Sequence, residues 1–392
     1  MRVLGEGVDV VVVGGGIVGA ACAEALTRRG VRVLLAERGP LAGQTTARGD
    51  GRLLISDKPP GPGLTLAMAS LRRWPLLLAA LREELGPARA ACEYERKGGL
   101  AVAVRAEEAA ALRELAAAQR SAGADARELT PDEAIGREPH LTPAVRAAVH
   151  YPEDARLQPV LAATALLAAV RARGGEIRTG VHVLSVLTGA DGWVVGVQTP
   201  DGPLPCGAVV NAGGPRAGTL AEAAGASLPV LPRYGTVLVT APLPPGTVRH
   251  TVHGTVAGGP PVVVGAAPGG QVLISSGRRR AGADEALRAD DLRALARCTA
   301  ALFPVLAGVP VLRAYGGFHP GTPDGLPVIG EDPRHPGLWH AAGHAGAGVA
   351  LAAATGELLG QLFTGEPPLV DPEPFRVARP GLGLAEEENR CP

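Results

Sequence analysis

The sequence has no surplus of charge: 38 Lys and Arg balance 38 Asp and Glu over 392 residues. Without a long-range field of either sign, a nucleic acid or an anionic membrane is a poor partner, and a small molecule is the better expectation. Cysteine is scarce and scattered. Cys22, Cys92, Cys206, Cys298 and Cys391 form no CxxC pair, which speaks against a disulfide framework or a zinc site and fits a reducing cytosol. No metal-ligating cluster and no Ser/His/Asp triad stands out. The opening MRVLGEGVDV has no signal-peptide pattern. The longest apolar run, Val10 to Ala23, is broken by Gly14, Gly15, Gly16 and Gly19, so it is too short and too glycine-rich to span a bilayer. There is no internal repeat.

What is present is apolar surface. Residues of that kind make up 46% of the chain, enough for a large core despite 55 Gly and 36 Pro. The length exceeds one simple core, so two domains are expected. The abundance of Ala is set aside as codon bias. Val8 to Val13 reads as a strand buried on both faces, Ile17 to Arg29 as a helix, and Val31 to Ala36 as a second buried strand, which together make one βαβ unit. Further helices are expected over 65–85, 106–123, 159–173, 288–303 and 349–363. One more starts at Thr130, an N-cap followed by Pro131 and Glu133. Strands are expected over 100–104, 176–178, 181–187, 193–199, 208–211, 236–240, 261–265, 271–275 and 311–318, with a poorly ordered tail after Pro367. The fold class that follows is α/β (α+β), a Rossmann-like nucleotide domain interleaved with a mixed-sheet substrate domain. The expected division gives 1–85, 150–215 and 315–375 to the nucleotide domain, 86–149 and 216–314 to the substrate domain, and 376–392 to a tail.

Gly14-Gly15-Gly16-Ile17-Val18-Gly19 fits GxGxxG between the strand and the helix. Gly14 permits the turn, Gly16 lets backbone approach a pyrophosphate, and Gly19 lets helix and strand pack closely. Free amides at the helix start favour an anion there. Glu37 ends the second strand, where a carboxylate accepts from ribose hydroxyls and disfavours a 2′-phosphate. The loop alone does not separate NAD from FAD. Thr45-Thr46-Ala47-Arg48-Gly49 leans toward FAD, because small hydroxyls there can donate to the pyrophosphate.

VVVVGGGIVGAACAEAL with LLAERG, VVNAGGPRAG, GTPDGLPVIG and HAAGHAGAGVALAAATGELL resemble the D-amino-acid-oxidase-like flavoenzymes, the group of glycine oxidase, sarcosine oxidase and amino-acid dehydrogenases. RGDGRLLISDKPPGPGLTLAMASLRRW and YERKGGLAVA are similar to the catalytic (beta) subunits of opine oxidase, D-hydroxyproline dehydrogenase and hydrogen cyanide synthase. The resemblance implies FAD and hydride transfer from an amine-bearing carbon, giving an imine that hydrolyses; no cysteine or histidine matches the place of a covalent flavin link, so noncovalent FAD is expected. It implies that Gly14, Gly16 and Gly19, with Ile17 and Val18, hold the pyrophosphate, and that Glu37, next to Arg38, holds the adenosine ribose. Thr45, Thr46 and Ala47 would line the path to the flavin ring, and Val183 would meet the adenine end through its backbone. Ala212 and Gly213 would approach the cofactor. Gly343, His344, Gly346, Gly348 and Val349 would form a second glycine turn at the pyrimidine end.

Glycine oxidase and its relatives place an arginine before PGT, where this chain has His319. That departure opens the question of what binds a substrate carboxylate. Arg48, Arg52, Arg233, Arg278 and Arg313 are candidates, with Tyr234 and Tyr315 as pocket residues. His319, Tyr234, Arg48 and Arg313 are the expected catalytic group. Arg278-Arg279-Arg280 reads as a solvated loop. Two other functions stay open: a non-catalytic FAD-binding subunit of a heteromeric dehydrogenase, and an NAD-dependent dehydrogenase, against which the second glycine turn speaks. A partner subunit or a homo-oligomer is also left open.

Overall fold

The computed structural model describes residues 7–256, 259–276, 280–281 (backbone only) and 284–383. Arg278 and Arg279 lie outside them, as does the side chain of Arg280.

The N-terminal unit forms as its residues dictate. β1 (Val8–Val13) is a run of β-branched residues, α1 (Ile17–Thr27) follows the glycine loop, and β2 (Val33–Glu37) returns parallel to β1. Around β1 the first sheet is ordered Val328–Glu331, Leu338–Ala342, Gly202–Asn211, β1, β2, Glu176–Thr179. Along that path all neighbours are parallel except the edge strand Val328–Glu331, and Val194–Thr199 and Ser185–Thr188 extend the sheet antiparallel from Gly202–Asn211. Such a sheet needs cover on its faces, and α1, Pro159–Ala172 and Gly348–Thr364 belong to its main apolar cluster. The Ala content is structural after all. Ala20, Ala21 and Ala23 of α1 and Ala350, Ala352, Ala353 and Ala354 of the last helix are all buried. Small side chains let these helices approach so closely that a Cβ on Gly356 would collide with the Ala21 backbone.

The second sheet has nine strands. Its order is Arg280–Ala281, Leu231–Thr240, Val272–Ser276, Val262–Ala266, Thr251–Thr255, Gly99–Ala103, Ala147–Tyr151, Arg127–Leu129, with Val311–Gly321 also paired to Leu231–Thr240. It is antiparallel except where Thr251–Thr255 meets Gly99–Ala103. Strands of the first sheet therefore come from 8–37, 176–211 and 328–342, and those of the second from 99–151, 231–281 and 311–321. This is the expected interleaved α/β architecture. The stretch 315–321, expected with the nucleotide domain, pairs in the mixed sheet instead. β3 (Arg52–Leu53) pairs with Ala155–Arg156 in a separate two-stranded ladder.

α2 (Pro62–Leu85) and the run Ala345–Thr364 are long and apolar enough to cross a membrane by length and composition, and more than half of each apolar window is buried inside the protein. Trp74 of α2 donates to the Ala350 carbonyl at 3.2 Å, so the two helices pack on each other. Thr130 and Glu133 form the expected capping box. The strand expected from Val181 starts only at Ser185. The tail departs from expectation as far as residue 383: Phe375, Val377 and Leu382 are buried. Arg379 grips Asp324 through Nε (2.6 Å) and Nη2 (3.0 Å) and caps the Leu326 and Pro327 carbonyls. A bidentate arginine that also satisfies two carbonyls holds this segment down. Cys22, Cys92, Cys206 and Cys298 are buried and free.

Candidate active site

A cleft of about 520 Å³ runs between the two sheets. Its floor is the glycine loop. Gly14 has φ +115, and a Cβ there would collide with the Ala212 carbonyl, while one on Gly19 would collide with the Gly14 carbonyl. Only glycine fits either place. α1 begins without a side-chain cap and with no acid in its first turn. The last helix, Gly348–Thr364, also begins without a side-chain cap or an early acid, after a second glycine turn lining the same cleft. Two helix starts without a capping side chain on their N-cap residues therefore face one space, an arrangement that favours an anionic ligand.

Thr46 Oγ1 accepts from the Ile17 amide at 3.0 Å. Glu37 Oε2 accepts from Gly15 N at 2.7 Å and Oε1 from Gly39 N at 2.8 Å, so the carboxylate is fixed at the end of β2. Gly14, Gly16, Ile17, Val18, Gly19, Glu37, Arg38, Thr45, Thr46, Ala212, Gly213, Gly343, His344, Gly346, Gly348 and Val349 all line the cleft. His344 does so from a buried position. Its Nε2 lies 3.0 Å from Thr355 Oγ1, and burial pushes its pKa down to about 4, so the neutral ring holds the turn to the helix behind it. Ala345 carries a left-handed backbone, φ 50, at this turn, a strained conformation of the kind held at ligand sites.

Two expected cofactor residues do not line the cleft. Val183 lies in the loop before Ser185–Thr188 with its side chain in the apolar cluster of Leu34 and Ala36, which leaves the expected backbone contact to adenine untouched. Ala47 faces a second cavity.

The far wall is the pair Leu231–Thr240 and Val311–Gly321. Strand alternation decides which side chains reach the cleft. His319 does: its Nε2 lies 2.5 Å from where a Cβ on Gly235 would stand. Tyr234 does not. It is buried on the opposite face, packed against Gly316 and edge-on to Phe318 at 5.5 Å. Arg313 stacks on Tyr315 at 4.7 Å and faces the second cavity. Arg48 lies over Gly317, donates to the Gly316 carbonyl at 3.2 Å and sits 3.7 Å from Glu285. It braces the loop to the wall. The expected catalytic group thus divides, with His319 and Arg48 in the cleft and Tyr234 and Arg313 outside it.

Sequence reasoning missed Asp50. Gly51 has φ +77, and a Cβ on it would collide with the Leu157 carbonyl, so this glycine is what folds Asp50 and Arg52 into the cleft wall. Arg52 is buried. Its Nη1 lies 2.9 Å from Asp50 and donates to Ser275 Oγ at 2.6 Å, and its Nη2 donates to the Val263 and Leu273 carbonyls at 2.8 and 2.9 Å. Burial works to raise the Asp50 pKa, but Arg52, the Ser275 hydroxyl and the nearby His319 outweigh it and hold the carboxyl below its usual range. The signal in sequence was Gly49-Asp50-Gly51-Arg52, charge alternating with glycine, which reads equally well as an exposed turn.

A mainly parallel sheet with a glycine loop, a fixed acid and two glycine-turn helix starts over one cleft defines a Rossmann-like dinucleotide-binding protein. Residues 9–362 match the family described as FAD dependent oxidoreductase, and the chain belongs to that family. It is 30% identical over 375 residues to glycine oxidase of Geobacillus kaustophilus, covering 95% of this chain and 97% of the relative. It is 27% identical over 409 residues to hydrogen cyanide synthase subunit HcnC of Pseudomonas aeruginosa, covering 95% and 96%. The crystal structure of the Geobacillus kaustophilus glycine oxidase superposes with a TM-score of 0.86 at 29% identity, over 95% of this chain and 98% of that one.

Proposed function

We propose that the chain binds FAD along the cleft and oxidises the C–N bond of an amine or amino acid. The observation that carries this is the convergence of the two glycine-turn helix starts and Glu37 on one cleft. It matches a ligand with a diphosphate in the middle, a ribose at one end and a ring at the other. The residues fit the group: Gly16 leaves the backbone bare toward the cleft, with only Thr46 Oγ1 near the place of a Cβ.

In this reading Gly14, Gly16 and Gly19 hold the pyrophosphate against α1, and Glu37 takes the adenosine ribose. Thr45 and Thr46 line the path to the ring, and the start of Gly348–Thr364 directs its positive end to the pyrimidine side. FAD bound there supplies the hydride acceptor for the amine-bearing carbon, and the imine released is hydrolysed by water. The far wall orients the substrate. Asp50, kept ionised by Arg52, attracts the amine, and His319 flanks it over Gly235. Similarity to relatives called glycine oxidase, hydrogen cyanide synthase and opine oxidase supports an amine or amino-acid substrate.

The test is anaerobic titration of the purified protein with glycine, sarcosine, D-amino acids, L-proline and opines. A yellow protein that bleaches with one of them is expected. A yellow protein that bleaches with none of them leaves a non-catalytic flavin protein as the better reading.

A further inference from the structure

An amine that is to lose hydride from its carbon must first give up a proton from its ammonium form, because only a free electron pair on nitrogen can make the C=N bond. Among the described residues lining the cleft, the carboxylates and imidazoles are Glu37, Asp50, Glu285, His319 and His344. Glu37 is tied to two amides at the end of β2, and Glu285 is 60% exposed beside Arg48. His344 is turned to Thr355, and burial pushes its pKa down to about 4. Asp50 is held below the usual carboxylate range. An alkylammonium titrates at about 10, a free imidazole at about 6.5 and a free carboxyl at about 4. Proton transfer from the ammonium is therefore uphill by about 10⁴-fold for an imidazole and about 10⁶-fold for a carboxylate. The arginines of the cleft keep their charge and accept nothing. His319 is the base that remains.

Its placement suits the task. His319 pairs with Arg233, and Ser275 pairs with Val237 on the other side of the same strand. Gly235 stands midway between those two rows, about 7 Å along the strand from each. The ring of His319 reaches over Gly235 with Nε2 as the atom nearest the place of a Cβ, so its tip leads toward Ser275. Asp50 stands there, hydrogen-bonded to the Ser275 hydroxyl and close enough to His319 for the two to interact. We propose that His319 is the catalytic base of the C–N oxidation, its Nε2 taking a proton from the substrate ammonium while Asp50 offsets the charge of the imidazolium. The inference rests on the flavin reading above. An N–H bond of the substrate breaks with its electron pair left on nitrogen, and an Nε2–H bond forms. That pair then makes the C=N bond as hydride leaves the carbon for the flavin, and the imidazolium later returns its proton to water. On the elements packed against this strand the described charged groups are Arg233, Arg48 and Arg216, with Glu285 beside Arg48 and Arg52 behind Asp50. The arginines favour the neutral ring, and Asp50 and Glu285 favour the charged one, so both states of the cycle have support.

Tetramethylammonium, a cation with no proton to give, is the first probe, titrated calorimetrically into the purified protein between about pH 5 and 9. Wild type is expected to bind it at least about tenfold more tightly at the alkaline end, where the ring no longer repels it. His319→Gln should bind it equally at every pH, and His319→Arg weakly at every pH. No saturable binding by wild type, or the same pH response in His319→Gln, overturns the placement of His319 beside the amine. Proton transfer is read from anaerobic bleaching by whichever of glycine, sarcosine, D-amino acids, L-proline and opines bleaches wild type fastest. The wild-type rate should level off above about pH 7. His319→Gln should be slower there by about 10²–10⁴-fold. It should gain about tenfold per pH unit toward the ionisation of the amine itself, since only amine already neutral in solution reacts, and His319→Arg should show the same slope. A wild-type rate and profile in His319→Gln, or a yellow protein that none of these compounds bleaches, overturns the base. A colourless wild type refutes the flavin reading and the base with it, whereas a yellow protein that fails the pH comparison refutes the base alone.

Discussion

The glycine loop at residues 14–19 and the wall formed by 231–240 and 311–321 border the same cleft, but they are made of different material. The loop is backbone: amides, two glycines that admit no Cβ, and one acid held by two N–H groups. The wall works through side chains, with His319 laid over a glycine and an Asp50–Arg52–Ser275 network lodged against it. A backbone site tolerates almost no substitution, because added atoms have nowhere to go. A side-chain site tolerates replacement of shape but depends on each charge keeping its partner.

That contrast can be broken at several points. Gly14→Ala should have the largest effect, costing on the order of 3 kcal/mol from a disallowed φ and a backbone clash. It should yield protein without flavin, read by thermal melting and the visible spectrum. Asp50→Asn should cost about 2–3 kcal/mol at neutral pH by leaving Arg52 without its counter-charge, yet keep flavin. Because the folded Asp50 pKa is depressed, its contribution is present above the unfolded value near 4 and is lost as pH falls through the folded value. The acid limb of a stability–pH curve should therefore be shallower in Asp50→Asn.

Asp154 shows the opposite sign in the same region. Burial pushes its pKa up to about 7, its Oδ1 accepts from Ile55 N at 2.8 Å and its Oδ2 lacks a partner among the described residues. With the folded pKa raised, its contribution is fully present below the unfolded value and is lost as pH rises toward 7. Asp154→Asn should stabilise by roughly 2 kcal/mol at pH about 8 and by little at pH about 4, measured by denaturant melts at both. Thr46→Ala, which removes the hydroxyl on Ile17 N, should be mildest, about 1 kcal/mol, with weaker flavin retention as the second readout.

The same contrast governs what could be read from sequence. β1, α1 and β2 were legible almost to the residue, because an unbroken β-branched run, a glycine motif and a terminal acid each have one physical use. The strands Ala147–Tyr151, Thr251–Thr255 and Leu338–Ala342 were not, since AAVHY, TVHGT and LWHAA show no alternation once both faces are buried or glycine intervenes. In the site, the glycines of both turns were readable and the wall was not. Tyr234 and His319 differ in strand parity, which became fixed only with the register that pairs Arg233 with His319 and Tyr234 with Phe318. Asp50 sits in a sequence that looks like an exposed turn, and its place in the cleft wall depends on strands distant in the chain. The tail to residue 383 looked too rich in Pro and Gly to be held, and the Arg379–Asp324 clamp is a long-range pairing that no local pattern announces.

The most direct measurement is the FAD released on denaturing the purified wild-type protein, beside the same assay on Gly14→Ala. The account predicts one FAD per wild-type chain and almost none from the variant. A wild-type protein that carries no flavin and takes up none when FAD is added, or a Gly14→Ala protein with full flavin content, would contradict it.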